Sequence, residues 1–222
     1  MKTGLLGGLM VSATGTFEPG HPWRGQPGFQ IKYDPDTARK LMTEAGYSKN
    51  KPLKVKVQTS ASGSGQMLPV PMNEFVQQSL AECFFEAELD VIEWNTLFTN
   101  WRKGVKDESA RGANTTNVTY ATMDPFFAMV RFLDSKMAPP VSNNWGYLND
   151  PEFDRLVAAA RQAFDPAERD KALAALHQRE VDEAAFLWVA HDVAPRALSP
   201  KIKNFIQPKS WFVDFSGMTI GN

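Results

Sequence analysis

The chain has 222 residues, of which 43% are hydrophobic and 22% are charged, and its formal net charge is -1. This composition is that of a globular protein long enough to bury a substantial core. The balanced charge and the lack of a long basic run exclude the electrostatic pattern of a nucleic-acid or anionic-membrane binder, so no nucleic-acid partner is expected.

The first 32 residues show no pattern of a regular helix or strand. Glycines interrupt the apolar residues of segment 1–15 before a continuous apolar stretch forms, which is untypical of a signal peptide or a membrane span. Glycine and proline are frequent from residue 4 to residue 32. Since neither sustains a helix or a ladder for long, this segment is predicted to be an extended connector.

Residues 33–47, YDPDTARKLMTEAGY, predict a short helix with clear ends. Asp34 can cap the first free amide groups, Pro35 suits the first helical position, and Gly46 can adopt the left-handed conformation that ends a helix. An apolar stripe at three- and four-residue steps predicts that one face packs inward. Its members are Ala38, Leu41, Met42 and Ala45.

Strands and helices then alternate, which predicts an α/β fold with helices flanking a sheet. The predicted elements are a strand at 53–60, a helix at 70–87, a strand at 87–94, a short helix from Trp94, a strand at 117–122 and an apolar helix from Asp124. The flexible segment ASGSGQ, residues 61–66, follows the first strand directly. Binding groups commonly lie at such a position in open α/β sheets.

Two capped helices and a long tail complete the chain. The Asp-Pro pairs at 150–151 and 165–166 predict the two helix starts, and an apolar strand is predicted at 185–192. One apolar face of the first helix is predicted to comprise Phe153, Leu156, Val157, Ala160 and Phe164. The tail, 196–222, carries apolar side chains that are expected to pack on a partner lobe or a second chain.

Several segments occur in an order that resembles the large C-terminal lobe of the extracytoplasmic solute-binding proteins that serve peptide-type and nickel-type ABC importers (solute-binding family 5). They are YDPDTARKLMTEAGY, LKVKVQTS, AELDVIEW with the following NTLF, the Asp124-Pro125 segment, NWGYLNDPEFDRLVAAAR and DPAERDKALAALHQREVDEAAFLWVAH. The resemblance runs from about residue 5 to about residue 205.

The resemblance implies a periplasmic-binding-protein-like lobe, an α/β unit with a mixed sheet flanked by helices. Residues 1–32 would be a hinge-proximal connector, 33–195 the lobe, and 196–222 a tail that returns to a missing N-terminal lobe. It also implies a periplasmic substrate-binding component, without its own signal peptide here, that captures a small solute or oligopeptide and delivers it to a membrane permease. The chain would then be a fragment of such a protein.

The ligand class stays open. The resemblance implies a Trp and an Asp shortly before the Asp124-Pro125 pair in peptide-binding members, and the Asp carboxylate pairs with the α-amino group of the ligand. In this chain Val118 and Ala121 occupy the corresponding positions. A peptide, a sugar, an opine-like compound and another small organic solute therefore remain alternatives.

Candidate ligand contacts combine polar or aromatic chemistry with positions at strand ends and in loops. They are Ser60, Ser62, Tyr120, Thr122, Met123, Asn143, Asn144 and Trp145. Packing between lobes is an alternative role for Trp145, and turn formation is an alternative role for the two serines.

Enzyme and metal signatures are weak. His177 and Glu180 are three residues apart on a predicted helix, but no HExxH pattern accompanies them, so His177 is interpreted as a helix-surface residue and no metal or cofactor is expected. No G-x-S-x-G or Cys-His signature is present, and Cys83 is predicted to be a buried core residue. The alternatives to a binding lobe are a small α/β hydrolase or isomerase and a stand-alone interaction module.

Overall fold

The computed structural model describes residues 1–119, 124–193, 195–208 and 210–221. Its helices are α1 (Pro35–Glu44), α2 (Pro69–Ala81), α3 (Trp94–Asn100), α4 (Arg131–Leu133), α5 (Pro151–Gln162) and α6 (Pro166–Asp182). Its strands are β1 (Met10–Ser12), β2 (Leu53–Ser60), β3 (Phe85–Ile92), β4 (Thr115–Thr116), β5 (Ala190–Asp192), β6 (Ile202–Lys203) and β7 (Thr219–Ile220). Sheets flanked by helices confirm the predicted α/β class.

The central sheet has the strand order β3-β2-β4, and all of its pairings are parallel. Strands β2 and β3 pair along their whole length, from Leu53 opposite Phe85 to Ser60 opposite Ile92. On one face the register sets lysines of β2 opposite glutamates of β3, and Lys56 Nζ lies 2.9 Å from a carboxylate oxygen of Glu88. Because the strands are parallel, their carboxyl ends meet at one edge of the sheet.

Two short antiparallel pairs lie outside this sheet. β1 pairs with β5, and β6 pairs with β7. The segment 1–32, predicted to be an extended connector, therefore contributes a strand to a sheet with the last third of the chain. Parallel and antiparallel pairings thus occur in separate sheets.

The predicted helix caps are confirmed. The Asp34 side chain accepts a hydrogen bond of 3.0 Å from the Thr37 amide, and Asp150 and Asp165 cap α5 and α6 in the same way. The predicted inward stripe of α1 is wrong in part. Leu41 is 58% exposed and Ala45 is also exposed, because α1 contacts the rest of the chain only through half-buried residues.

Several boundaries differ from the predictions. The strand predicted at 117–122 is wrong over its described residues 117–119, because the chain pairs with β2 earlier, at Thr115–Thr116. The strand predicted at 87–94 lies two residues earlier, at Phe85–Ile92, and the helix predicted from Asp124 is a π-helical turn, Phe126–Val130, that continues into α4.

Helix α2 ends at Ala81, and Phe84, predicted within it, adopts φ +68° in the turn before β3. Phe164, predicted on the buried face of α5, is 92% exposed because the helix ends at Gln162. The apolar run 185–192 forms a strand only at its last three residues.

Two apolar clusters form most of the core. The larger one joins α4 and α5 to α6 and includes Met129, Leu133, Phe153 and Leu176, each at most 1% exposed. The smaller one lies between the central sheet and α3 and has Leu97 and Trp101 at its centre. Val118 packs against both clusters, so the segment after β4 connects them.

The N-terminal segment crosses α6 at His177, which contradicts the interpretation of this residue as exposed. His177 is 0% exposed, its Nε2 accepts a hydrogen bond from the Phe17 amide at 3.1 Å, and its Nδ1 donates to the Arg24 carbonyl at 2.7 Å. A Cβ on Gly15 would lie 2.8 Å from the imidazole ring. Glycine therefore permits the close approach that buries the histidine.

Glu180 lies one helical turn further along α6 and is also 0% exposed. One of its carboxyl oxygens is 4.0 Å from His177 Nε2. Burial raises the pKa of Glu180 to about 8, and the Thr16 side chain offsets part of that rise. Burial also lowers the pKa of His177 to about 4, against the opposing effect of its hydrogen bond to the Arg24 carbonyl. Both side chains are therefore neutral at pH 7.

These shifts make the stability of the fold depend on pH in two directions. Unfolding releases the Glu180 proton at any pH between about 4.5 and 8, so stability falls as the pH rises through that window. Unfolding lets His177 take up a proton between about 4 and 6.5, so stability falls as the pH drops there. From pH 6.5 to 8, Glu180 is therefore the member of this pair whose ionisation changes the free energy of unfolding.

We expect Glu180→Gln to remove this loss of stability at higher pH. The wild-type free energy of unfolding should fall more steeply with pH than that of the variant. The difference should be about 1.4 kcal/mol per pH unit near pH 6.5, where one proton is released on unfolding, and about half of that at pH 8, where the folded group is half ionised. Urea denaturation at several pH values measures both slopes.

Glu168→Gln is the matched control, because it makes the same change at an exposed position of α6. Its pH slope should equal that of the wild type. If Glu180→Gln also keeps the wild-type slope, then Glu180 is not a buried neutral carboxyl group.

Candidate functional site

The carboxyl edge of the central sheet gathers the ends of three strands. Ser60, Ile92 and Thr116 are the last residues of β2, β3 and β4. The Ala61 amide donates to the Ile92 carbonyl at 2.8 Å, so β2 stays joined to β3 one residue beyond the strand. The Glu93 carboxylate then caps α3 by accepting hydrogen bonds from two backbone amides, which turns the chain away from the edge.

The segment 61–68, which we call the edge loop, follows β2 at this place. Gly63 and Gly65 both adopt positive φ values, +79° and +88°, where glycine is favoured. Gln66 Nε2 donates a hydrogen bond of 2.6 Å to Asn117 Oδ1, just after β4. The edge loop is therefore tied to the neighbouring strand as well as to its own.

Buried hydroxyl groups lie at the start of the edge loop. Ser60 is 0% exposed and Ser64 is 2% exposed. Within the described part of the chain, neither Oγ atom has a hydrogen-bond partner. Buried polar groups are nearly always hydrogen-bonded, and a functional role is one explanation for an exception. These two hydroxyl groups also lie where ligands of open α/β sheets bind, beyond the carboxyl ends of the strands. This edge is therefore the best candidate for a functional site.

A polar network holds a neighbouring turn against the sheet. Gln58 is 0% exposed, and its Nε2 lies within 3.2 Å of Asp90 Oδ2 and of the carbonyl oxygens of Ser109 and Ala110. Arg111 also pairs with Asp90. Although burial alone raises the pKa of Asp90, hydrogen bonds from Arg111 and Gln58 outweigh it and hold that pKa below its usual value.

The predicted contacts at 143–145 lie inside the protein. The Asn144 side chain accepts from the Leu148 amide at 2.7 Å and donates to the Leu148 carbonyl at 2.6 Å, which closes a local turn. Trp145 is 6% exposed and packs in the cluster that contains Ile92. Asn143 is 4% exposed, and its Nδ2 has no hydrogen-bond partner among the described residues.

Ser60 and Trp145 lie at the same end of the sheet. Ile92 pairs with Ser60 across the two strands, and it belongs to the same apolar cluster as Trp145. Ser62 is exposed on the edge loop. The remaining predicted contacts lie outside the described residues; they are Tyr120, Thr122 and Met123. All eight residues remain predicted ligand contacts.

Sequence reasoning missed two groups at this edge. Asn117 was predicted only as the first residue of a strand, whereas it follows β4 and its side chain anchors Gln66. Trp211 belongs to the tail, yet its indole lies against Gly65. No local signal relates Trp211 to a loop so far away in the sequence.

Residues 1–119, 124–193, 195–208 and 210–221 contain neither a metal-binding cluster nor a membrane-spanning helix. Within these ranges, no three His, Cys, Asp or Glu side chains are grouped so as to hold a metal ion. Over the same ranges, no helix has both the length and the apolar character needed to cross a membrane.

Comparison with known proteins gives consistent matches. Residues 1–139 match the family model of the bacterial extracellular solute-binding proteins, family 5 Middle. The chain is 25% identical over 170 residues to the periplasmic oligopeptide-binding protein OppA of Haemophilus influenzae, covering 77% of this chain and 29% of that protein. It is 24% identical over 200 residues to the glutathione-binding protein GsiB of Pectobacterium atrosepticum, covering 86% and 35% respectively.

The fold is also found in solved structures. A dipeptide-binding protein from a Pseudoalteromonas species, solved with Met-Leu, superposes with a TM-score of 0.79 at 18% identity and covers 99% of this chain and 42% of that one. This confirms the predicted periplasmic-binding-protein-like fold. The chain spans only about a third of the length of the two curated relatives.

We expect Gln58→Leu to lower the free energy of unfolding by about 2 kcal/mol. The substitution keeps a side chain of similar size but removes the Gln58 donor from the part-buried Ser109 carbonyl, from Asp90 and from the Ala110 carbonyl, which keeps the Ala113 amide as a donor. Urea denaturation monitored by circular dichroism measures the loss. Gln78→Leu makes the same change at an exposed position and should alter stability by less than about 0.5 kcal/mol. Equal losses in both variants would contradict a structural role for Gln58.

Proposed function

The chain belongs to family 5 of the bacterial extracellular solute-binding proteins, and from this we propose that it is part of the substrate-binding component of an ABC importer. In this role the chain captures a small solute or oligopeptide and delivers it to a membrane permease without changing it chemically. The names of the relatives, which include a periplasmic protein, support a periplasmic location.

The carboxyl edge of the central sheet is the observation that carries this proposal. Ligands of open α/β sheets bind beyond the carboxyl ends of the strands. At that edge the chain has a loop with two glycines in positive φ, flanked by hydroxyl and amide side chains. Glycines let a ligand approach the backbone closely, and the nearby polar groups provide hydrogen bonds that orient it.

The charges at this edge indicate which chemical groups of a ligand it can bind. Glu93 is engaged in capping α3, and Asp90 is paired with Arg111. The polar side chains of the edge loop and of Asn117, which is tied to it, are uncharged hydroxyl and amide groups. This supports a ligand that presents neutral groups to this lobe, such as the backbone of a peptide or a neutral solute.

Known ligands of similar proteins favour the peptide class. The relatives are named for oligopeptide and glutathione binding, and the solved neighbour contains the dipeptide Met-Leu. Ala121, which aligns with the acidic residue of peptide-binding members, lies outside the described residues. Because alanine has no carboxylate to pair with an amine, a peptide bound here would have its α-amino group held by another part of the protein.

The apolar tail supports a second lobe or chain as a partner. Its side chains are strongly exposed, between 71% and 82%, at Ile206, Phe212, Phe215 and Ile220. Exposed apolar surface of this kind marks an interface. We propose that residues 196–222 contact a further lobe, that residues 1–32 lie next to the hinge, and that the lobe comprises 33–195.

Capture without catalysis gives a direct binding prediction. We expect short peptides to raise the melting temperature of the protein when it is extended at its N-terminus, and to raise that of the present chain less, because one lobe supplies only part of the contacts. Thermal-shift measurements with tri- and tetrapeptides, followed by isothermal titration calorimetry, measure this difference. Each peptide should be recovered intact by mass spectrometry.

Two outcomes would contradict the proposal. Hydrolysed or rearranged peptide would indicate an enzyme on an α/β scaffold. Equal stabilisation of both versions would show that a single lobe forms the whole site. Sugars of similar size, tested in parallel, separate the peptide class from neutral solutes.

A further inference from the structure

The C-terminal tail reaches the edge loop through Trp211. A Cβ placed on Gly65 would lie 2.6 Å from Trp211 Cζ2 and 2.9 Å from Trp211 Nε1, so the indole rests directly on the glycine backbone. No side chain fits between them. At φ +88° the backbone of residue 65 also disfavours any residue other than glycine.

Hydrogen bonds fix the backbone of the tail at this point. Arg196 Nη2 donates to the carbonyl oxygens of Ser210 and Trp211, at 3.4 and 3.2 Å. The position of Trp211 is therefore set from two sides, by Arg196 along the tail and by Gly65 beneath the ring. Its neighbour Phe212 is 78% exposed, whereas Trp211 is 37% exposed.

A second indole lies on the opposite part of the edge loop. A Cβ on Gly63 would be 3.6 Å from Trp94 Cβ, in ordinary van der Waals contact. The loop thus contacts Trp94, which belongs to α3, at Gly63, and Trp211, which belongs to the tail, at Gly65. Between the two glycines lies Ser64, whose buried Oγ has no partner among the described residues.

We propose that Trp211 forms an aromatic wall of the ligand site and binds an apolar or aromatic side chain of a peptide. The inference rests on the proposed function and deepens it. Ser64 and Gln66 supply polar groups beside the indole, so the backbone of a peptide has hydrogen-bonding groups next to the apolar surface that takes its side chain. Indole rings combine large apolar area with a fixed orientation, and they add stacking to that contact.

The test compares two tripeptides, Ala-Phe-Ala and Ala-Ala-Ala, by calorimetry on the N-terminally extended protein. We expect Trp211→Ala to weaken binding of Ala-Phe-Ala about fivefold more than binding of Ala-Ala-Ala, which corresponds to the free energy of one aromatic contact. Trp211→Phe should restore most of the preference. Phe164→Ala, which removes an aromatic side chain that is 92% exposed beyond the end of α5, should leave both affinities as in the wild type.

Gly65→Ala provides an independent variant in which Trp211 itself is unchanged. The added methyl group displaces the indole, so the preference for Ala-Phe-Ala should fall here too. Circular dichroism and the melting temperature establish that each variant is folded.

Equal weakening of both tripeptides by Trp211→Ala, or no weakening of either, would overturn the role of Trp211 while leaving capture of peptides intact. Failure of the wild-type protein to bind either tripeptide, or any other peptide tested, would instead overturn the proposed function and this inference with it.

Discussion

The parallel pairing of β2 with β3 is the constraint that organises the fold. Eight residues of each strand pair without a break, and the register fixes Ser60 opposite Ile92. A shift by one residue would exchange the two faces of each strand and would separate the lysines of β2 from the glutamates of β3. The same register brings the edge loop and the start of α3 to one edge, so the candidate site follows from the pairing of two strands.

The two ends of the chain act on this framework in different ways. The N-terminal segment crosses α6 where Gly15 lies against His177, and β1 continues the contact by pairing with β5. The tail crosses the edge loop where Trp211 lies against Gly65. In both places a glycine permits the close approach of a ring. One contact buries titratable groups inside the protein, while the other leaves an aromatic surface at the candidate site.

The buried titratable side chains differ in whether they carry a charge. His177 and Glu180 are neutral inside the protein because the loss of water around a charge outweighs the hydrogen bonds of His177 to the Arg24 carbonyl and of Glu180 to the Thr16 side chain. Asp90 keeps its charge because Arg111 and Gln58 donate to it. Glu93, which caps α3, and Asp90 are thus both engaged already. The neutral groups at the edge of the sheet are the ones suited to bind a ligand.

The sequence by itself determined the local features. Asp-Pro pairs specify helix starts through the capped amides of the next residues, and alternation of apolar and polar residues specifies β2, so both were predicted at their observed positions. The tertiary structure alone decided the burial of His177, the exposure of Phe164 and the place of Trp211 at the edge loop. Each of these depends on a contact between segments far apart in the chain, or on where a helix stops, and a pattern within one segment carries no information about which distant segment packs against it.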